Sequence, residues 1–215
     1  MKPIHDAAFP KAKLCRTIPH AIRYGSKDTL GLGLDDLYAT QGIDKVTFFM
    51  NEINGSSMST PLLRSNIEWA TIHVGIEENS LFDISFNDFG HLLPHTWIRS
   101  LWEFVDEYKI TMPKWDYTLR KKRDGDIFLM DAFQRAGFTK RQLLPLNRCR
   151  IYLKVETLSD ITDGTGDQIS KQAYDGRQTA ATLASHDWPV QVNPNQTHWK
   201  LWRRALRKSF PRTST

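Results

Sequence analysis

The chain has 215 residues, of which 40% are hydrophobic and 25% charged, and its formal net charge is +5. This length and apolar content fit one folded domain or two small ones and exclude a wholly disordered chain. No apolar run reaches the length of a membrane span, and the N-terminus lacks the apolar stretch of a secretory signal, so we expect an intracellular protein that does not bind membranes. Two isolated cysteines, Cys15 and Cys149, fit a reducing compartment and predict no metal site.

Positive charge is concentrated in two places. Residues 198–215 contain six basic residues and no acidic one, which leaves a net charge of −1 for the rest of the chain. A second cluster at 120–123 follows Trp115 and Tyr117. Basic segments with interleaved aromatic residues suit a nucleic acid or another polyanion, although an ordinary solvated loop explains the second cluster equally well.

Residues 1–20 show little periodicity and are predicted to be an irregular lead-in. The glycine-rich loop at 24–37 lacks the preceding strand and the third glycine of a dinucleotide-binding fingerprint. Asp35 or Asp36 is expected to cap a helix that ends at Asn54-Gly55. Its predicted apolar stripe consists of Ala39, Ile43, Val46, Met50 and Ile53.

A second helix is predicted to begin at Thr60-Pro61 and to end at Gly75. Alternating residues at 81–88 predict a short strand. The clearest helix begins near Thr96, and its two tryptophans, Trp97 and Trp102, are expected in the core rather than on a base-stacking platform. The histidines at 91 and 95 have zinc-compatible spacing, but no third ligand accompanies them, so no metal site is predicted.

In the second half, Asp126 is expected to cap a helix that ends near Gly137. A short helix from Thr139 is expected to end or kink at Pro145. Residues 149–155 alternate between apolar and mostly charged types, which predicts a half-buried strand, although a helix competes over the first half of this stretch. A glycine turn follows at 163–167.

The C-terminal part is predicted to contain two helices. Asp167 is expected to cap a short one that reaches about Tyr174, and Thr197 to cap the last one. The apolar side of the last helix is formed by Trp199, Trp202, Leu206 and Phe210. Its basic side suits a membrane surface or a nucleic acid, but an ordinary terminal helix docked by its tryptophans is equally compatible.

Together these patterns predict a mainly α protein with a few short β-strands, in which amphipathic helices pack into an irregular helical domain; an α+β fold is the alternative. Three regions are predicted. They are an irregular N-terminal lead-in at 1–20, a mainly helical core region at 21–174, and a polar linker with the basic C-terminal helix at 175–215.

Several segments, in this order, resemble the region downstream of the polymerase domain in reverse transcriptases of eukaryotic retroelements, especially the non-LTR type. The segments, which span roughly Pro19 to Leu206, are YG followed by LGLGLDDLY, then WIRSLWEF, DIFLMDAFQRAGF, LNRCRIYLKVETLSDITDGTG and HWKLWRRAL. The resemblance implies a noncatalytic C-terminal fragment that contacts RNA or DNA and the polymerase domain of its parent protein. The family's catalytic aspartates are missing, since Asp35-Asp36 lacks the preceding aromatic residue, so no catalytic residue, cofactor or metal is predicted.

Charge and resemblance together predict a set of nucleic-acid-binding residues. They are Arg120, Lys121, Lys122, Arg123, Arg148, Arg150, Lys200, Arg203, Arg204, Arg207 and Lys208. The main alternative is a helical protein–protein interaction module that does not bind nucleic acid. An enzyme whose scattered acids converge only in the fold is the least supported hypothesis.

Overall fold

The computed structural model describes residues 9–13, 15, 17–76, 80–113, 124–164, 166–178, 188–189 and 193–211. The fold is mainly α-helical, as predicted. Two compact units make up the chain, Met1–Asn51 and Glu52–Thr215. The boundary between them coincides with neither predicted boundary, 20/21 or 174/175. Over the described ranges, β-type pairing is limited to two isolated antiparallel bridges, Phe128 with Thr157 and Thr162 with Ile169.

The helices are numbered in chain order. The α-helices are α1 (His20–Tyr24), α2 (Leu37–Glu52), α3 (Ser59–Val74), α4 (Phe86–Phe89), α5 (Trp97–Tyr108), α6 (Leu129–Arg135), α7 (Lys140–Leu153), α8 (Leu158–Ile161), α9 (Lys171–Asp175) and α10 (Gln196–Ser209). Short 3-10 helices span Lys27–Thr29, Leu81–Asp83 and Gly90–Leu92.

In the first unit, the glycine-rich loop folds back on α1. Leu32 N–H donates to Ile22 O at 2.7 Å, and Gly33 N–H donates to Gly25 O at 2.9 Å. A Cβ atom on Gly31 would lie only 2.1 Å from Gly25 O, so any other residue would clash with the backbone there. Glycine is thus required for close approach of two backbone segments.

Helix α2 begins at the predicted position, but its buried side is different. Asp36 Oδ1 accepts a hydrogen bond from Tyr38 N–H at 3.0 Å, which confirms the predicted cap. The buried residues of α2 are Gly42, Val46 and Phe49. Ile43 and Met50 are 58% and 46% exposed, so their assignment to the buried stripe is wrong. Residues 42, 46 and 49 share the same helical spacing as the predicted set, and the sequence pattern alone does not separate the two.

In the second unit, α3 and α5 form where predicted, but α3 begins at Ser59 without the predicted Thr60 cap, and Trp97 of α5 is 38% exposed rather than in the core. Helix α3 buries Ile67 and Ala70 completely and ends at Gly75, whose φ of +71° belongs to the left-handed region that favours glycine. The Thr96 hydroxyl accepts from a backbone N–H in the first turn of α5. Trp102 is fully buried and donates from Nε1 to the Ile84 carbonyl at 2.9 Å, so it belongs to the core.

The predicted strand at 81–88 is wrong. This segment forms the 3-10 helix Leu81–Asp83 and the single turn of α4. The Ser80 hydroxyl accepts a hydrogen bond from Phe82 N–H at 3.1 Å, which starts the 3-10 helix. Both Leu81 and Phe82 are buried although they are neighbours in sequence, so burial here does not follow the period of two that a half-buried strand requires.

The predicted strand at 149–155 is also wrong, because helix α7 continues through Leu153. A capping box starts the helix, in which Thr139 N–H donates to Gln142 Oε1 at 3.0 Å. Pro145 lies inside α7 and does not end it. The helical alternative therefore holds for this stretch.

Three other predicted caps are displaced by a few residues. Phe128, Ser170 and Asn195 are the N-caps of α6, α9 and α10, in place of Asp126, Asp167 and Thr197. The predicted glycine turn is present, with Gly166 N–H donating to Asp163 O at 3.1 Å.

Candidate nucleic-acid interface

The terminal helix α10 is anchored in the core by its apolar side. Trp202 is fully buried, and its Nε1 donates to the Ala173 carbonyl at 3.0 Å. Its ring also meets Phe133 edge-on, with 5.6 Å between ring centroids. Ala205 and Leu206 next to it are fully buried. The docked-helix interpretation is therefore correct for this side of α10.

The other side of α10 presents a row of cations. Lys200, Arg204, Arg207 and Lys208 are exposed and Arg203 is half-buried, and the sequence of the helix contains no acid. Within the described part of the chain, no carboxylate lies within ion-pair distance of any of them. We call these five residues the basic face of α10. Asp175 lines a small cleft with Lys200 and Arg203, but five cations against one nearby acid leave the face positive, so it attracts anions.

Trp199 lies between the basic face and the core. Its ring meets the rings of Tyr152 and Trp202 edge-on at centroid distances of 5.7 and 6.4 Å. A Cβ atom on Gly176 would lie 2.7 Å from this ring, so the glycine backbone packs directly against the indole. Trp199 of α10 thus packs against α7 and against the glycine that ends α9. These contacts explain its half-buried state and make it part of the support for the basic face.

Arg148 and Arg150 differ in solvent exposure, although only one residue separates them. Arg148 is exposed at the rim of a cleft of about 390 Å³. Arg150 is 0% exposed. The prediction that Arg150 lies on a charged outer face is therefore wrong, and its guanidinium is in no position to contact a phosphate backbone in this fold.

Arg150 instead caps the C-terminus of α3 from inside the core. Its Nη2 donates to Ile72 O at 2.6 Å and to His73 O at 3.0 Å. Its Nε donates to Asn147 Oδ1 at 2.8 Å, and its Nη1 to Val155 O at 3.3 Å. The last carbonyls of a helix lack intrahelical partners and carry the negative end of the helix dipole, so a buried cation fits this position. Burial lowers the pKa of Arg150 to about 10, so it remains charged at neutral pH.

Among the described residues, the polar lining of the cleft beside Arg148 consists of basic, imidazole and amide side chains. Its polar lining residues are His73, His91, His95, Arg99, Asn147 and Arg148. Burial and the charge of Arg150 lower the pKa of His73 to about 4, so this histidine is neutral at physiological pH. Arg99 Nη1 lies 2.7 Å from His95 Nδ1, which holds the two side chains together.

The structure gives no support to a metal or carboxylate centre in the residues it describes. No group of three or more His, Cys, Asp or Glu side chains there has metal-binding geometry, although the histidines at 73, 91 and 95 line one cleft. Asp126, one of the scattered acids, accepts hydrogen bonds from Ile127 N–H at 2.9 Å and Ser159 N–H at 3.1 Å. It also pairs with the Ser159 hydroxyl. These contacts tie the loop before α6 to α8, which is a structural task.

The basic cluster at 120–123 and the two aromatic residues before it lie outside the residues that the structure describes. They are Arg120, Lys121, Lys122 and Arg123, with Trp115 and Tyr117. Over the part of the chain that is described, no helix is both long enough and apolar enough to cross a membrane.

Comparisons of the chain with family models, curated proteins and solved structures gave no match.

Proposed function

We propose that the basic face of α10 binds single-stranded or duplex nucleic acid, in a noncatalytic part of a reverse-transcriptase-like retroelement protein. The observation that supports the proposal is a set of exposed cations on one side of a helix whose other side is fixed in the core. Their backbone positions are therefore defined before binding, which lowers the entropic cost of placing several cations along a phosphate backbone. The polymerase domain of the parent protein remains a predicted partner, on the basis of the sequence resemblance.

Salt-dependent binding provides the first test. Fluorescence anisotropy of the chain with a single-stranded RNA and a duplex DNA would be titrated over a range of salt concentrations. Neutralising Arg204, Arg207 and Lys208 to Gln should weaken binding. For single strands, it should also reduce the slope of log K against log salt by about 0.7 for each phosphate group that the variant no longer neutralises.

A matched variant separates this face from general positive charge. The triple variant K11Q/R141Q/K171Q removes the same number of exposed cations outside α10. If the basic face is the binding site, this variant should keep nearly all of the wild-type salt slope. Equal losses of affinity in the two triple variants would show only nonspecific attraction to net charge, and no binding at low salt would refute the proposal.

A helical protein-interaction module is the second candidate function. It is favoured by the exposed apolar side chains of α2, where Ile43, Phe48 and Met50 are 58%, 46% and 46% exposed. Ile43 and Met50, seven residues apart, lie on the same side of α2, and adjacent exposed apolar residues mark many interaction surfaces. Absence of nucleic-acid binding by the folded chain, together with self-association that is lost in an I43S/M50S variant, would favour this function.

A further inference from the structure

The cleft of about 390 Å³ between α5, α7 and the segment before α5 has the features of an anion-binding site. Two arginines reach it from different helices, Arg99 from α5 and Arg148 from α7. His91 and His95 line it from the connecting segment. Since the described residues that line the cleft include two arginines and no carboxylate, their side chains favour an anion.

His91 is partly buried and lies near two cations. Burial lowers the pKa of His91, and the nearby charges of Lys140 and Arg99 lower it further, while the backbone oxygens of Lys140 and Asp88 act in the opposite direction. Burial is the largest of these effects, and the two cations add to it, so an anion bound beside His91 would be stabilised by the same two charges.

Arg99 is held in position for such an anion. Its Nη1 lies 2.7 Å from His95 Nδ1, and its Cζ lies 5.7 Å from the centre of the Phe86 ring. Its Nε is shielded from solvent and has no hydrogen-bond partner among the described residues. Arg148 at the rim has no carboxylate within ion-pair distance in the same part of the chain. A guanidinium held in place matches the geometry of phosphate oxygens and loses little entropy on binding.

The rest of the lining fits a small organic ligand. Leu92, Leu93, Pro94, Leu144 and Ile151 supply apolar surface next to the basic groups. The volume lies at the lower end of the range for small-molecule sites, of roughly 300–1,000 Å³, so several nucleotides of a strand would not fit.

We propose that this cleft binds a phosphate monoester, with Arg99 and Arg148 contacting the phosphate oxygens and the leucines packing against the organic part. The monoester could come from a free small molecule or from the terminal phosphate of an RNA strand, and both present the same dianionic group. The proposal does not rest on the basic face of α10, because no residue of that helix lines the cleft.

Calorimetric titration with uridine 5′-monophosphate tests the proposal. The wild type should bind it, and Arg148→Gln should weaken binding at least tenfold. The matched control is Arg141→Gln, which removes an exposed arginine from the same helix without touching the cleft. Arg99→Lys is a second variant that keeps the charge but loses the planar fork, and it should also weaken binding. Equal affinities in R148Q and R141Q, or no binding at millimolar ligand, would overturn the proposal.

The pKa of His91, measured by NMR with and without ligand, would not change between the wild type and R148Q if Arg148 had only a structural role. A bound phosphate dianion should raise the pKa of His91 in the wild type, because it offsets the neighbouring cations. The shift should disappear in R148Q at the same ligand concentration. An unchanged His91 titration in the presence of saturating ligand would place the ligand elsewhere and refute the assignment.

Competition distinguishes the two sources of the monoester. A uridine pentamer with a 5′-phosphate would be compared with the same pentamer lacking it. Displacement of uridine 5′-monophosphate by the phosphorylated strand alone assigns the cleft to a strand end, and displacement by neither assigns it to a free small molecule. Equal displacement by both would mean that diester phosphates suffice, which contradicts the monoester assignment.

Discussion

Replacement of Arg150 by Met tests the central packing argument of the second unit. The guanidinium donates to four buried or partly buried acceptors at 2.6–3.3 Å, and one of them, His73 O, also accepts from Asn147 Nδ2 at 2.8 Å. The substitution therefore removes the guanidinium from three acceptors that lack this second donor, Ile72 O, Val155 O and Asn147 Oδ1. Methionine fills part of the space but donates no hydrogen bond.

The expected loss of stability follows from two opposing effects. A buried acceptor that loses its partner costs about 1–3 kcal/mol, so three of them amount to roughly 3–9 kcal/mol. Removing a fully buried charge recovers several kcal/mol of desolvation. The net loss should therefore be well below that sum, about 1–4 kcal/mol of unfolding free energy.

Urea unfolding followed by far-UV circular dichroism measures this loss. Arg148→Met is the matched control, because it makes the same substitution two residues away on the exposed side of α7 and should change stability by less than about 0.5 kcal/mol. Tryptophan fluorescence would be recorded in parallel to check for a single transition. A loss below about 1 kcal/mol in R150M, or an equal loss in both variants, would refute the capping role of Arg150.

Three further predictions rest on other groups in the fold. Gly75→Ala should lower the free energy of unfolding in urea by more than about 1 kcal/mol, because Gly75 has φ +71° and a Cβ there would lie 2.5 Å from Arg150 Cζ. Equal stability of the variant and the wild type would show that the guanidinium moves aside easily. With Ellman's reagent, exposed Cys15 should react at once and buried Cys149, whose pKa burial raises to about 12, only on unfolding; two fast thiols in the native state would contradict its burial. Burial opposes ionisation of Asp126, but its hydrogen bonds outweigh burial and lower its pKa. The stability that the Asp126 carboxylate adds should therefore be complete above the ordinary carboxyl pKa and disappear as the pH falls through the pKa of the folded state. A difference in stability from D126N that does not change with pH would contradict this.

The helices with clear local signals can be predicted from the sequence. Helix α5 has a threonine cap and a regular apolar stripe, and α3 has a regular stripe and a glycine stop, so local chemistry and packing agree. Helix α2 shows the limit of this approach. Its cap at Asp36 is local and predictable, but which of two equally spaced apolar sets faces inward depends on what packs against it.

The central stretch cannot be predicted because its decisive contact is remote. A strand pattern at 149–155 requires Arg150 to face solvent, and nothing nearby in sequence suggests otherwise. The carbonyl that binds its guanidinium most closely belongs to Ile72, 78 residues earlier in the chain. Burial of a charge is tolerated only when such acceptors are already in place, and a period-two or period-3.6 pattern contains no information about them.

The cleft escapes sequence-based prediction for a similar reason. His91 and His95 are recognisable as a pair, but no local pattern marks Arg99, and the strand pattern assigns Arg148 to a solvated face. The fold brings residues from 91 to 148 together around one volume. Only the acid-poor character of these short segments is visible in the sequence, and that feature alone does not distinguish an anion site from a solvated surface.

Helix α7 supports both proposed anion sites and the core between them. Arg148 lines the cleft, and Tyr152, one turn later, packs against Trp199 at the edge of α10. Arg150 faces inward and fixes α7 to the end of α3. Because one helix positions all three contacts, loosening the Arg150 cap should weaken monoester binding in the cleft and nucleic-acid binding by α10 together. Substitutions on either surface should affect only their own ligand, since exposed side chains far from shared partners act almost independently. Coupled losses of affinity in R150M and separate losses in the surface variants would therefore identify α7 as the common support, whereas separate losses in all variants would place the two sites on independent scaffolds.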